Sequence, residues 1–188
     1  KIEFLRFLKV SIETVKKLSK EIKPFTIETE SIGLTEKDSK IGFGSSAATV
    51  VSVIASLLRF NNQKPTKDMI LKLALIANFI AQDGKGSGFD IAASVFGGFT
   101  YYSRFDPTWL QNQLETESIA KIVDQKWPEL DYLPLEFPSD LSLIVGYVGY
   151  SASTRELISM MNEWRKENDN DYLNIINKIE ECVINLKK

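Results

Sequence analysis

The chain has 188 residues, with 23 lysines and arginines against 25 aspartates and glutamates, one cysteine and no histidine. Charges spread this evenly leave no electrostatic footprint for nucleic acid or an anionic membrane, and the absent histidine removes Ser-His triads and histidine-ligated metals. The lone Cys182 cannot close an internal disulfide and falls on an apolar helical stripe, so core packing in a reducing, cytoplasmic compartment is expected.

In chain order, Leu5, Leu8, Ile12, Val15 and Leu18 recur at three and four and predict an amphipathic helix. Phe25, Ile27 and Thr29 alternate with polar residues as in a strand. A glycine loop over 40–48 leads into an apolar helix over 46–60, residues 61–65 read as a turn, and Thr66 caps a helix carrying Ile70, Leu73, Ile76, Ala77 and Ile80. Three glycines in five residues, Gly84, Gly86 and Gly88, make a second loop. After it come a short helix over 90–95 with Ser87 or Asp90 near its start, a strand over 99–105, an Asp106-Pro107 helix entry and a helix over 109–123. Pro128, Pro134 and Pro138 mark a loop region, 141–148 an apolar strand, and two helices follow, one with Leu157, Met160, Met161 and Trp164, the other with Tyr172, Ile176, Ile179, Val183 and Leu186. A polar break at 167–171 separates them. Helices and strands mixed in this way predict an α+β protein. No run reaches the roughly 20 apolar residues of a membrane span.

The first loop carries chemistry. Gly42 and Gly44 let backbone approach a ligand with no Cβ in the way, and a helix N-terminus offers unpartnered N–H groups and a favourable dipole to anions. Ser45 and Ser46 add hydroxyls that suit a cap, a phosphate oxygen or magnesium. Lys40, two residues before Gly42, is placed to reach the same phosphate. As a bare motif the loop is a cap or a phosphate cradle, and it is not a Walker A loop, whose lysine follows the glycines. In the second loop Asp90, held in the first turn of its own helix, is either a positioned carboxylate for acid-base work or an N-cap.

Together the two loops resemble the GHMP kinases, whose second motif reads G-L-G-S-S-A-A; Phe43 replaces the leucine. Within that family, Ala81-Gln82, Lys85 and the run from Ser87 to Ala93 are most similar to the phosphomevalonate kinase signature A-Q-G-K-x-G-S-G-F-D-V-A-A, with the lysine one place late. The likeness continues through residues 97–105, a G-x-x-x-Y-x-x-F-like strand, Trp109, Trp127, Val145-Gly146-Tyr147 and Ser151-Ala152-Ser153-Thr154. The family's opening G-K-x-x-x-x-G-E and closing G-A-G-G-G-D segments do not occur, so the chain is expected to be the middle of a longer kinase and inactive alone.

The resemblance implies a GHMP kinase fold, with 1–139 an incomplete ATP-binding domain of ribosomal-protein-S5-domain-2-like type and 140–188 the start of a ferredoxin-like domain. It implies phosphoryl transfer from ATP to 5-phosphomevalonate, giving 5-diphosphomevalonate for isoprenoid biosynthesis, by a monomer or homodimer without nucleic acid or membrane partners. The implied roles are catalysis for Lys40 and Asp90, ATP binding for Gly42, Gly44, Ser45, Ser46 and Ala47, Mg2+ for Ser46, and acceptor binding for Lys85, Ser87, Gly88 and Ser153. Arg104 and Arg155 are secondary candidates for the acceptor phosphate. Two alternatives stay open. A mevalonate kinase would carry a magnesium-binding glutamate eleven positions before the aspartate, where this chain has Phe79; the other is a GHMP-like module that binds without turnover.

Overall fold

The computed structural model describes residues 2–19, 22–30, 35–36, 39–40, 42, 44–146 and 154–187. In chain order the elements are α1 (Ile2–Leu18), β1 (Thr35–Glu36), β2 (Ser39–Lys40), α2 (Ser45–Phe60), α3 (Lys67–Ala81) and α4 (Phe89–Phe96). They continue with β3 (Phe99–Ser103), α5 (Pro107–Thr116), α6 (Ile119–Asp124), β4 (Asp131–Leu135), α7 (Thr154–Glu167) and α8 (Asp169–Lys187). The chain separates into two compact units, one of residues 1–34 and 43–142, the other of 35–42 and 143–188.

The first unit is built around α3. Its sequence is apolar on nearly every side, so the helix is buried along its length and α1, α2 and α4 pack around it. Thr66 caps it as expected, its hydroxyl accepting from the Met69 N–H at 3.1 Å. The one buried charge on α3, Lys72, pairs with Asp68 at 3.1 Å and donates to the carbonyls of Val123 (3.0 Å) and Gln125 (2.9 Å), which ties α3 to the end of α6. The stripe of α1 that faces this core runs through Phe7, Val10 and Val15, while Leu5 is exposed. Ser11 and Thr14 are buried without penalty because each hydroxyl donates to the carbonyl four residues back, at 2.8 Å.

Three sequence expectations are corrected in this unit. Residues 22–30 are irregular and pair with no strand among the described residues, since alternation buries Phe25 and Ile27 partly against the core without supplying a ladder partner. The helix expected over 109–123 is two helices. Glu117 is extended and the Ser118 hydroxyl accepts from the Lys121 N–H at 3.4 Å, so a capping serine restarts the chain as α6. Pro134 lies in a strand: β4 pairs antiparallel with β3, Thr100 opposite Pro134 and Tyr102 opposite Tyr132, in a two-stranded sheet whose edges tolerate a missing N–H. The short helix after the second loop forms with Asp90 in its first turn as expected, and its cap is Gly88, without a side-chain bond. Behind β3, Phe105 and Trp127 pack edge to face at 5.3 Å, Phe79 joins Phe105 at 5.9 Å, and the Trp127 indole donates to the Ile122 carbonyl at 2.8 Å.

In the second unit β1 and β2 form a short antiparallel hairpin with Thr35 opposite Lys40. Of the strand expected over 141–148, residues 141–146 are irregular and 147–148 lie outside the described residues. The helices α7 and α8 form with a break at Asn168 alone, where the side chain of Asn168 donates to the Trp164 carbonyl and Arg165 pairs with Asp169 at 2.6 Å. Cys182 is exposed, contrary to expectation, because the apolar stripe that carries it meets no buried core among the described residues of this unit.

Candidate functional site

Gly44 caps α2 in the left-handed conformation, φ 72° and ψ 34°. That geometry costs an L-residue energy and costs glycine none. With no side chain at the cap and no acidic residue in the first turn, the N–H groups that open α2 keep their donors and their positive field. Ser45 and Ser46 are half-buried there, and their hydroxyls have no partner among the described residues. Ala47, fully buried, anchors the turn from below.

The second loop is fixed from every side. The Gly84 N–H donates to Phe79 at 2.9 Å, the Lys85 N–H to Gln82 at 3.1 Å, and Arg104 donates to the Gly84 carbonyl at 3.2 Å. A Cβ on Gly86 would stand 2.6 Å from Asn78 Nδ2, and Asn78 itself accepts from Gln82 at 2.7 Å. Asp83 takes positive φ and turns its carboxylate to Arg6 on α1, whose hydrogen bonds hold that carboxyl below the usual range. Beyond this Asp83-Gly84 turn, Lys85 is exposed. Ser87 is exposed too, and its carbonyl accepts from the Tyr102 phenol at 3.0 Å.

Gly88, with φ 86°, caps α4 as Gly44 caps α2, again without a side-chain cap. Asp90 lies in the first turn of α4, half-buried, with Oδ1 accepting from the Ile91 N–H at 2.9 Å. Burial pushes its carboxyl above the ordinary aspartate value, opposed by the backbone N–H groups of Ile91 and of Asp90 itself. A Cβ built on Gly44 would lie 3.9 Å from Asp90 Cβ. The opening turns of α2 and α4 therefore face each other. The open N–H donors of α2 and the Asp90 carboxyl, which the Ile91 N–H holds at the start of α4, converge, an arrangement suited to a polyanion on one side and a reacting group on the other. A groove of about 650 Å³, lined by Phe25, Ile27, Ala48, Ser52, Val53 and Phe60 among others, opens one turn along α2 from this point.

Of the residues proposed from sequence, Gly44 meets Asp90, Ser45, Ser46 and Ala47 follow Gly44 in the first turn of α2, and Ser87 and Gly88 lead into α4 one residue before Asp90. Lys40 closes β2 and Gly42, at φ 94°, follows it; both belong to the second unit. Ser153 lies outside the described residues. No group of three or more Asp, Glu, Cys or His that would hold a metal occurs among the described residues. Magnesium would fit the free Ser46 hydroxyl only with most of its oxygens supplied by a phosphate ligand. Sequence reasoning missed Gly88 as the cap of α4, although a glycine ahead of a helix signals it, and it missed the bond from Tyr102 to the Ser87 carbonyl.

Residues 6–98 match the GHMP kinases N terminal domain. The phosphomevalonate kinase of Streptomyces sp. (strain CL190) is 32% identical over 161 residues, 82% of this chain and 42% of that enzyme. The mevalonate kinase of Pyrococcus abyssi is 30% identical over 67% of this chain and 30% of its own length. Among solved structures, the Lin0012 protein of Listeria innocua superposes with a TM-score of 0.80 at 29% identity, covering 94% of this chain and 50% of that one. The Streptococcus pneumoniae phosphomevalonate kinase, in complex with phosphomevalonate and AMPPNP, superposes with a TM-score of 0.62 at 21% identity, covering 68% of this chain and 39% of that one. The chain thus spans less than half the length of the curated relatives it matches. It has the α+β fold of the GHMP kinases, and its residues 6–98 belong to the N-terminal domain family of those enzymes. Its named relatives are kinases of mevalonate and of phosphomevalonate.

Proposed function

We propose that this chain supplies the nucleotide and acceptor loops of an ATP-dependent phosphomevalonate kinase. The bond from the γ-phosphorus to the β,γ-bridging oxygen breaks, a bond to an oxygen of the 5-phosphate forms, and ADP leaves. The observation that carries this reading is the approach of Gly44 to Asp90, which sets a phosphate-binding helix end against a carboxyl on a glycine loop. The N–H groups from Gly44 to Ala47 hold ATP phosphates, with Gly42 giving them room. Lys40 neutralises charge on the transferred group, and the Ser46 hydroxyl contributes to Mg2+, which when bound screens the phosphate charge.

Lys85, Ser87, Gly88 and Ser153 hold the acceptor. Its phosphate is already an anion near neutral pH, so Asp90 orients the acceptor and shapes the local field rather than removing a proton. Residues 1–139 are assigned to the ATP-binding domain and 140–188 to the start of the next. A cytoplasmic location accords with a single, exposed cysteine and with the lack, among the described residues, of a helix long and apolar enough to cross a membrane.

The test is an acceptor panel with the full-length polypeptide that carries this chain. ADP release is expected with 5-phosphomevalonate and not with mevalonate, homoserine or galactose. Preference for mevalonate would return the assignment to its sister enzyme. Against that outcome, Phe79, at the position of the sister enzyme's glutamate, is buried at 4% exposure and packs on Phe105, offering no metal ligand.

A further inference from the structure

The strand that follows the acceptor loop carries a tyrosine that the reading above leaves without a role. Tyr102 stands on β3, fifteen residues after Ser87 in sequence, and its phenol donates to the Ser87 carbonyl at 3.0 Å. The same oxygen would lie 2.8 Å from a Cβ on Gly88, with Leu75 Cδ2 closing the other side at 2.4 Å. Gly88, in the left-handed conformation from which α4 starts two residues before Asp90, thereby has no room for a side chain. Arg104, on the same chain segment, holds Gly84 at the far end of the loop, so β3 and its continuation grip the loop at both ends.

We propose that Tyr102 is a positioning residue of the acceptor site, setting the Ser87–Gly88 backbone and through it the place of Asp90; this rests on the kinase reading given above. Burial, opposed by the Arg104 guanidinium and reinforced by the Asp90 carboxylate, keeps the phenol protonated well beyond neutral pH, so Tyr102 remains a donor throughout the working range. The ring itself fills space beneath the loop. Removing only the hydroxyl leaves that packing, and it leaves a carbonyl on an exposed residue that water can reach.

The experiment compares Tyr102→Phe with Tyr132→Phe in the full-length polypeptide, using whichever acceptor the wild type prefers in the panel. Tyr132 is the cross-strand neighbour of Tyr102, and its phenol bonds Asp68 rather than the loop. Each change removes one phenolic hydrogen bond from the same sheet. Displacing a reacting group slightly is costly, so Tyr102→Phe is expected to lower kcat/KM for the acceptor about tenfold with KM for ATP unchanged. Hydrogen exchange of the amides from Gly88 to Ala92 is expected to quicken in Tyr102→Phe alone. Tyr132→Phe is expected to leave acceptor kinetics as in the wild type. Unchanged acceptor kinetics and unchanged exchange in Tyr102→Phe would overturn the proposal, as would equal losses in both variants. An unexpected acceptor in the wild-type panel overturns the kinase assignment instead, and is read before any variant is made.

Discussion

A Cβ on Gly44 would sit 3.9 Å from the Cβ of Asp90, so the cap of one helix touches the first turn of another across some 46 positions of sequence. Each helix end is equivalent to roughly half a positive charge. The Asp90 carboxyl lies in that field and is also partly withdrawn from water, and withdrawal dominates, moving it toward the neutral form. A site so arranged binds negative charge best when the ligand's own cation shares the load.

The two caps differ in how tightly they are enclosed, and this sets different costs for Gly44→Ala and Gly88→Ala. Both place alanine at positive φ, which costs about 1–2 kcal/mol. At Gly44 the new methyl makes ordinary contact with Asp90, so little is added. At Gly88 it would be 2.4 Å from Leu75 and 2.8 Å from Tyr102, and moving those neighbours adds about 1–3 kcal/mol. Urea unfolding should therefore rank Gly88→Ala as the less stable variant. The reverse order would show that Leu75 and Tyr102 give way freely.

Which parts of this were legible beforehand follows from what is local. Helices α2, α3 and α5 were readable because periodicity and the caps Thr66 and Asp106 are written in adjacent residues. The glycine loops were readable for the same reason. The break at Ser118 was not, because a serine inside an apolar pattern reads equally as a surface helix position. Pro134 was misread because its strand exists only through pairing with β3, and Cys182 because an apolar stripe does not say whether anything covers it. The meeting of Gly44 with Asp90 depends on α2 and α4 packing together beside α3, and no local signal encodes that.

Lys72 gives a test of the core. The residue is 9% exposed, and its ammonium satisfies two carbonyls at the end of α6 as well as Asp68. Lys72→Met keeps most of the volume but leaves the Val123 and Gln125 carbonyls short of a donor, at a cost of about 1–3 kcal/mol. Chemical denaturation should register this loss with an unchanged m-value. A variant as stable as the wild type would mean that packing of the methionine offsets the lost bonds.

Lys40 is tested by kinetics in the full-length polypeptide. If it stabilises charge that develops during transfer, Lys40→Met should lower kcat far more than it raises KM for ATP, by about a hundredfold for a loss near 3 kcal/mol. A loss confined to KM would make it a binding lysine. A surface lysine would show neither change.

Asp90→Asn joins stability to turnover. Burial raises the folded carboxyl above its unfolded value of about 3.9, so the neutral acid is the form the fold prefers. The stability this group contributes is fully present below the unfolded value and is lost as pH rises through the folded value, leaving a charged, half-buried carboxylate at neutral pH. Asparagine carries no charge and its oxygen can still accept from the Ile91 N–H. Asp90→Asn should therefore melt higher than the wild type at pH 7, and that advantage should vanish as pH falls to about 3.5, near the unfolded value. Turnover should fall while KM for ATP stays nearly constant if, as proposed above, the carboxyl serves the acceptor and not the adenine or ribose. A stabilised, inactive variant is the usual mark of a residue kept for function at the expense of the fold. If the wild type proves the more stable at pH 7, the helix ends hold the carboxylate charged, and if the variant keeps its rate, Asp90 has no part in transfer.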